Sequence, residues 1–158
     1  MSAATTYTPW ASTPAVRQVM QGNRKRDTGP ELAIRRAAHA LGLRYLVARR
    51  PLPGRPWSAD LVFPRLRLAV FVDGCYWHGC PQHFAPPRTN VGYWGPKIER
   101  NRSRDRVVSA ELCQAGWMVL RVWEHEDPAL AAHRVAAAVT EIRARIRPLP
   151  GQAPDAIG

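Results

Sequence analysis

The sequence predicts an α/β fold in which a β-sheet is layered with helices. Three observations carry this. Residues 68–72, Leu-Ala-Val-Phe-Val, form a continuous apolar run, as a central strand buried on both faces requires. Helical segments with apolar stripes and clear start and stop signals lie on either side of that run. The elements follow in the order α-β-β-loop-α-β-α, which stacks helices on a sheet. With 158 residues, 46% of them hydrophobic, the chain has the length of one domain and can bury a core without staples.

Residues 1–27 are rich in Ser, Thr and Pro and turn basic at Arg24-Lys25-Arg26, which suggests a flexible basic arm that orders on its partner. The folded domain is expected over residues 28–147. It opens with a helix: Thr28 can cap, Pro30 suits the first turn, and Glu31 completes a capping box. Leu32, Ile34, Ala37, Ala38 and Leu41 make its apolar stripe, and Gly42 stops it. Residues 52–56, Leu-Pro-Gly-Arg-Pro, break the chain before strands at Ala59 to Phe63 and Leu68 to Asp73. Residues 74–97 are irregular and dense in Gly, Pro, Cys, His and aromatics, a loop either disordered or pinned by something other than a core. A helix from Arg102 to Ala115 carries Val107, Val108 and Leu112 and ends at Gly116. Trp117 to Trp123 reads as a strand. Asp127-Pro128 opens the last helix, with Leu130, Val135, Val139, Ile142 and Ile146 inward. The tail, 148–158, has the Pro and Gly content of a disordered segment.

Charge narrows the function. Lys and Arg number 23 against 12 Asp and Glu, a formal net charge of +11, so a polyanion partner is expected and nucleic acid is the commonest one. Arg greatly outnumbers Lys, and its planar fork suits phosphate. No apolar run reaches the roughly 18 residues of a membrane span, and the N-terminus lacks a signal pattern. Cys75, Cys80 and Cys113 are too few, and odd in number, for a disulfide framework, which favours a reducing cytoplasm.

Four constellations can carry chemistry. Cys75-x4-Cys80-x2-His83, with His125 after the later strand, offers four donors of the type tetrahedral zinc takes; the alternative is two ordinary buried thiols. Cys113 lies in an amphipathic helix and reads as a core or half-buried thiol. Asp60, Glu31 and Asp73 form an acidic set. Phosphodiester hydrolysis needs a divalent ion, and hard Mg²⁺ prefers carboxylates and carbonyls. An acid inside an apolar strand pair is costly unless used or paired, which favours a functional Asp60. Glu31 could equally serve the capping box, and Asp73 a loop turn. His78 can act as an acid–base group, or stand as a further zinc ligand or an exposed ring. Tyr76, Trp77, Tyr93 and Trp94, in loop segments beside basic residues, can wedge between bases or shield the zinc loop.

These residues occur in an order that resembles the very short patch repair endonucleases. The matching segments are Thr28-x-x-Glu31, residues 52–56 before Asp60, Val72-Asp73-Gly74-Cys75-Tyr76-Trp77-His78, Trp94-x-x-Lys97-Ile98, Asn101-x3-Asp105, and Gly116-Trp117-x-Val119-x3-Trp123-Glu124. The resemblance covers about residues 15–147. It implies a restriction-endonuclease-like fold, a central mixed β-sheet flanked by helices, with a structural zinc. It also implies a Mg²⁺-dependent nick 5′ to the thymine of a T·G mismatch left by deamination of 5-methylcytosine. Residue by residue, it makes Asp60 the metal-binding aspartate and Val72 the position whose main-chain carbonyl also binds Mg²⁺. His78 falls beside the scissile phosphate, and Glu31 is the helix acid supporting the site. Tyr76, Trp77 and Trp94 are the wedging aromatics, and Cys75, Cys80, His83 and His125 the zinc ligands. Arg24, Lys25 and Arg26 would add DNA contacts. Three differences from the best-known members stand out, one being that Cys80, His83 and His125 replace a somewhat different arrangement of Cys and His. Trp57-Ser58-Ala59 separate Pro56 from Asp60, and Asp73 stands where those members carry a second catalytic histidine, so Asp73 is either a metal ligand or part of the acid–base set. The expected partner is double-stranded DNA bearing a T·G mismatch, with repair proteins beside it, for a monomer acting on the nucleoid in the cytoplasm.

Overall fold

The computed structural model describes residues 27–84 and 91–146. The basic triplet Arg24-Lys25-Arg26 and the tail 148–158 lie outside the described residues. Helix α1 (Gly29–Ala40) leads to strands β1 (Leu46–Arg49), β2 (Ala59–Phe63) and β3 (Leu68–Asp73). A short helix α2 (Cys75–His78) and a long helix α3 (Val91–Gln114) follow, then β4 (Met118–Trp123) and α4 (Pro128–Ile146). The four strands form one mixed sheet in the order β1-β2-β3-β4. The first three are antiparallel neighbours, and β4 runs parallel to β3 with Asp73 opposite Trp123.

The apolar run of β3 explains the layering. Leu68 and Val70 face one side, where Ile34 and Ala38 of α1 and Val135, Val139 and Ile142 of α4 close the main core. Ala69 and Phe71 face the other, where Val108 and Leu112 of α3 pack, flanked by Trp57 and Trp117. The extra residues before Asp60 are absorbed here: Trp57 leans on this second core and Ala59 is buried. Leu41, Val107, Leu130 and Ile146, expected inward, are exposed instead. On α4 the small residues Ala131 and Ala132 take the inward positions, letting the helix approach the sheet closely.

Three elements depart from the sequence expectation. Strand β1 was not expected; it has only four residues, and Ala48 within it has a positive φ of 49°. The expected loop over 74–97 contains α2 and the first turns of α3, so Trp94 is helical and α3 starts eleven residues earlier than Arg102. Gly92, Gly95 and Pro96 disguise that start, but Ile98 is buried, and tertiary contacts override weak propensity. Among the described residues no helix is long and apolar enough to cross a membrane.

Candidate active site and metal centre

An open cleft of about 1320 Å³ lies where the ends of β2, β3 and β4 meet α1, α2 and α3. Glu31, Asp60, Val72, Asp73, Trp77 and His78 all line it. Residues separated by as many as 47 positions in the chain thus share one surface.

The acidic side is built on β2 and α1. Asp60 Oδ2 accepts the Val72 N–H at 2.7 Å, which ties the carboxylate to β3. Burial pushes its carboxyl up to about 6; Glu31 and Asp73 add to the rise, while the Val72 N–H and Arg35 oppose it. An acid held this way is poorly solvated and gains from a cation. The Thr28 hydroxyl caps α1 by accepting the Glu31 N–H at 3.4 Å. Glu31 does not close the reciprocal half of the capping box on Thr28: its Oε2 accepts the Asp27 N–H at 2.8 Å and Arg35 Nη2 at 3.1 Å. Arg35, one turn along α1 and buried, also pairs with Asp27. The carboxylate of Glu31 is therefore fixed at the rim of the cleft rather than spent on the cap.

The opposite side is built by α2, α3 and β4. His78 Nδ1 lies 2.5 Å from Asp105 Oδ2 and 3.8 Å from Asp73 Oδ1. Burial alone would raise the Asp105 carboxyl, but the His78 hydrogen bond and the His78 and Arg121 charges hold it below the usual carboxylate range. An ionised Asp105 only accepts, so the hydrogen of that bond sits on His78 Nδ1. The orientation of α2 comes from α3: Asn101 Nδ2 donates to the Trp77 carbonyl at 3.0 Å, and Arg102 Nη2 to the Gly79 carbonyl at 2.6 Å. Gly79 has φ +61°, and a Cβ there would stand 2.3 Å from Arg102 Nη2. No other residue fits that position without displacing the arginine.

Beside His78 the aromatics cluster, tilted or edge-on to one another. Trp77 and Trp94 have ring centroids 5.7 Å apart, Tyr76 stands edge-on to Trp77 at 5.2 Å, and Lys97 Nζ lies 5.4 Å and 5.1 Å from the two tryptophan rings. Sequence reasoning gave no role to Asp105, Arg121, Asn101, Lys97, Arg104 or Glu124, which also line the cleft. Asn101, Arg104, Asp105 and Val108 recur at helical spacing; the last three lay within the expected helix, but only the fold shows that this face lines the cleft.

Cys75, Cys80, His83 and His125 converge away from the cleft, with one donor atom from each and all four within 4.8 Å of one another. Tetrahedral ligation with the usual metal–sulfur and metal–nitrogen lengths puts S and N about 3.6 Å apart. The Cys80 Sγ lies 3.6 Å from His125 Nδ1 and 3.8 Å from His83 Nδ1, and Cys75 Sγ 3.0 Å from His125 Nδ1. The donor set and the two Cys80 distances fit a tetrahedral metal ion, around which the shorter Cys75–His125 contact would open by roughly half an ångström. Burial, followed by the neighbouring Cys80, pushes the Cys75 thiol up to about 11, so a thiolate there requires a positive partner. Cys113, expected to be at least half-buried, is exposed on α3 and apart from this cluster.

The family model for DNA mismatch endonuclease Vsr matches residues 11–83. Similar curated proteins include the type II nicking enzyme V.NaeI of Lentzea aerocolonigenes, 50% identical over 110 residues, 68% of this chain and 66% of the relative. V.XorIIP of Xanthomonas oryzae pv. oryzae, another type II nicking enzyme, is 44% identical over 117 residues, covering 73% and 84%. DNA mismatch endonuclease Vsr of Escherichia coli is 38% identical over 100 residues, covering 63% and 62%. An acid-lined cleft facing a fixed histidine, aromatics and a Cys/His cluster beside it, and these likenesses lead to one conclusion: the chain belongs to the Vsr family of DNA mismatch endonucleases.

Proposed function

We propose that this protein nicks DNA 5′ to the thymine of a T·G mismatch, in a Mg²⁺-dependent reaction that starts very short patch repair. The observation that carries the reading is the cleft itself, with half-buried Asp60 on one wall and His78, locked to Asp105, on the other. The sequence order of these elements and the mixed sheet support a restriction-endonuclease-like fold. Asp60 and the Val72 carbonyl are hard oxygen donors and would hold Mg²⁺, with Glu31 and Asp73 adding negative potential around Asp60. The chemistry such an ion supplies is neutralisation of charge on the scissile phosphate and activation of water.

The chain's own groups do the rest. His78, with Nδ1 committed to Asp105, has Nε2 left to take a proton from the attacking water or to give one to the leaving 3′ oxygen. Trp77, Tyr76 and Trp94 form an aromatic edge that can enter a base step, and a wobble pair is easier to open than a matched one. Cys75, Cys80, His83 and His125 would hold zinc as a structural ion. The +11 charge, with Arg24, Lys25 and Arg26 in the arm, favours the DNA backbone.

The test is a panel of end-labelled duplexes, T·G and matched, incubated with protein and Mg²⁺ and resolved for both strands on a denaturing gel. One product in the thymine strand of the T·G duplex alone supports the reading. Cuts in both strands of matched DNA point to a restriction-type nuclease instead, and retention without any cut to a DNA-binding module.

A further inference from the structure

Arg121 stands on β4, facing α3, and the roles above leave it unused. A guanidinium carries five N–H donors, and the surrounding protein engages this one on every side. Nη1 donates to both oxygens of Asp73, at 2.7 and 2.8 Å. Nη2 lies 3.4 Å from the Asp105 carbonyl and 3.5 Å from Asp105 Oδ1, and Nε donates to Ser109 Oγ at 3.3 Å. Its Cζ lies 4.7 Å from the centroid of the Phe71 ring. An arginine held this way is not spare for a DNA phosphate. Its two carboxylate partners, moreover, approach one and the same atom, His78 Nδ1.

We propose that Arg121 is a positioning residue for His78: by claiming Asp73 it leaves Asp105 as the single acceptor of the His78 Nδ1–H, and Asp73 serves as its counter-ion, not as a Mg²⁺ ligand. The inference rests on the reading of His78 as the proton-transfer group. Two carboxylates near one N–H offer the ring two orientations, and only one aims Nε2 as the present contact with Asp105 does. Asp73 is buried, so without Arg121 it is a buried charge lacking its partner, and His78 Nδ1, 3.8 Å away, is a side-chain donor placed to take it. Arg121 also balances a cleft that otherwise gathers Glu31, Asp60, Asp73, Asp105 and Glu124.

The experiment compares Arg121→Gln, Asp73→Asn and the double variant, each full length and as purified. Nitrogen-15 spectra of the His78 ring, recorded without DNA or Mg²⁺, read the tautomer and its hydrogen bond. The wild type should show the proton on Nδ1 in one strong bond; Arg121→Gln should shift or split that signal, and the double variant, with no second carboxylate, should restore it. Nicking of the T·G duplex should lose roughly tenfold or more in kcat in Arg121→Gln, with KM for DNA little changed, and recover most of it in the double variant. Asp73→Asn should leave the Mg²⁺ concentration for half-maximal nicking within about twofold, whereas loss of a metal ligand would raise it roughly tenfold or more. Unchanged His78 signals in Arg121→Gln, a double variant worse than Arg121→Gln, or that rise in Asp73→Asn each overturns the proposal. Should Arg121→Gln fail to fold, the neutral double variant still decides through the His78 signal and the recovered kcat. A protein that nicks no duplex defeats the functional reading, while the His78 spectra still decide how Arg121 places the ring.

Discussion

Replacing Asp60 by Asn should make the protein more stable in Mg²⁺-free buffer, and only above mildly acidic pH. The carboxyl of Asp60 rises from an ordinary 3.8 to about 6 in the fold, chiefly through burial. At about 1.4 kcal/mol per pH unit, keeping it ionised costs the native state about 3 kcal/mol. The sign follows from proton counting. Between pH 4 and 6 the folded chain holds a proton that the unfolded chain has released, so stability falls as pH rises through that window and is flat above it. Asn keeps an oxygen for the Val72 N–H, now accepted at 2.7 Å, and carries no charge. Asp60→Asn should therefore match the wild type near pH 4 and exceed it by up to about 3 kcal/mol at pH 8. Urea unfolding at both pH values, with no chelator so that any zinc stays in place, measures the difference. Adding Mg²⁺ at ten times its dissociation constant should then return about 1.4 kcal/mol to the wild type and nothing to the variant. Nicking by the variant should be abolished. An Asp60→Asn protein less stable than wild type at pH 8, or stabilised by Mg²⁺ to the same extent, would refute the reasoning.

Three further outcomes are expected. Cys75→Ser should lose bound metal by elemental analysis and unfold several kcal/mol more easily, because assembly of such a site is coupled to folding; full metal content in the variant would contradict the cluster's role. Gly79→Ala should cost about 2 kcal/mol in thermal or urea unfolding, from the left-handed backbone plus the clash with Arg102, and unchanged stability would show that Arg102 yields freely. Trp77→Ala should reduce the ratio of T·G to matched cleavage about tenfold through lost stacking, and a ratio equal to wild type would move the wedge to another side chain.

The candidate residues that gather in the cleft and the Cys/His cluster were easier to single out in the sequence than the partners around them. Asp60, an acid in an apolar strand pair, announced a cost that had to be used, and the cleft now shows where it faces. The Cys/His spacing announced a cluster, and four donors converge. The β3 run gave the buried central strand because a parallel neighbour and helices on both faces leave no polar side. What stayed hidden depended on partners far along the chain. Asp105 and Arg121 are ordinary charged residues at exposed-looking positions until His78 and Asp73 arrive from α2 and β3. Strand β1 is too short to show alternation, and its pairing with β2 is what makes it a strand. The start of α3 carries two glycines and a proline, and side chains further along it, Asn101 and Arg102, fasten it to α2.

That fastening ties the Cys/His cluster to the cleft. Cys75 and Cys80 bracket Tyr76, Trp77 and His78, so the short helix carrying the aromatic edge and the histidine is anchored at both ends by groups of one cluster. A helix of four residues has almost no stability of its own. The Cys75 N–H bonds Glu124 Oε1 at 2.7 Å, and His125 follows directly in sequence, so the end of β4 holds the same helix from a second direction. Asn101 and Arg102 cap its far end from α3. Three elements thus converge on a single turn that the main core does not reach, and the ring of His78 inherits its precision from them. A metal ion in the cluster would act on nicking through this geometry alone, at a distance from the phosphate, by keeping Trp77 and His78 in one fixed relation to Asp60 across the cleft.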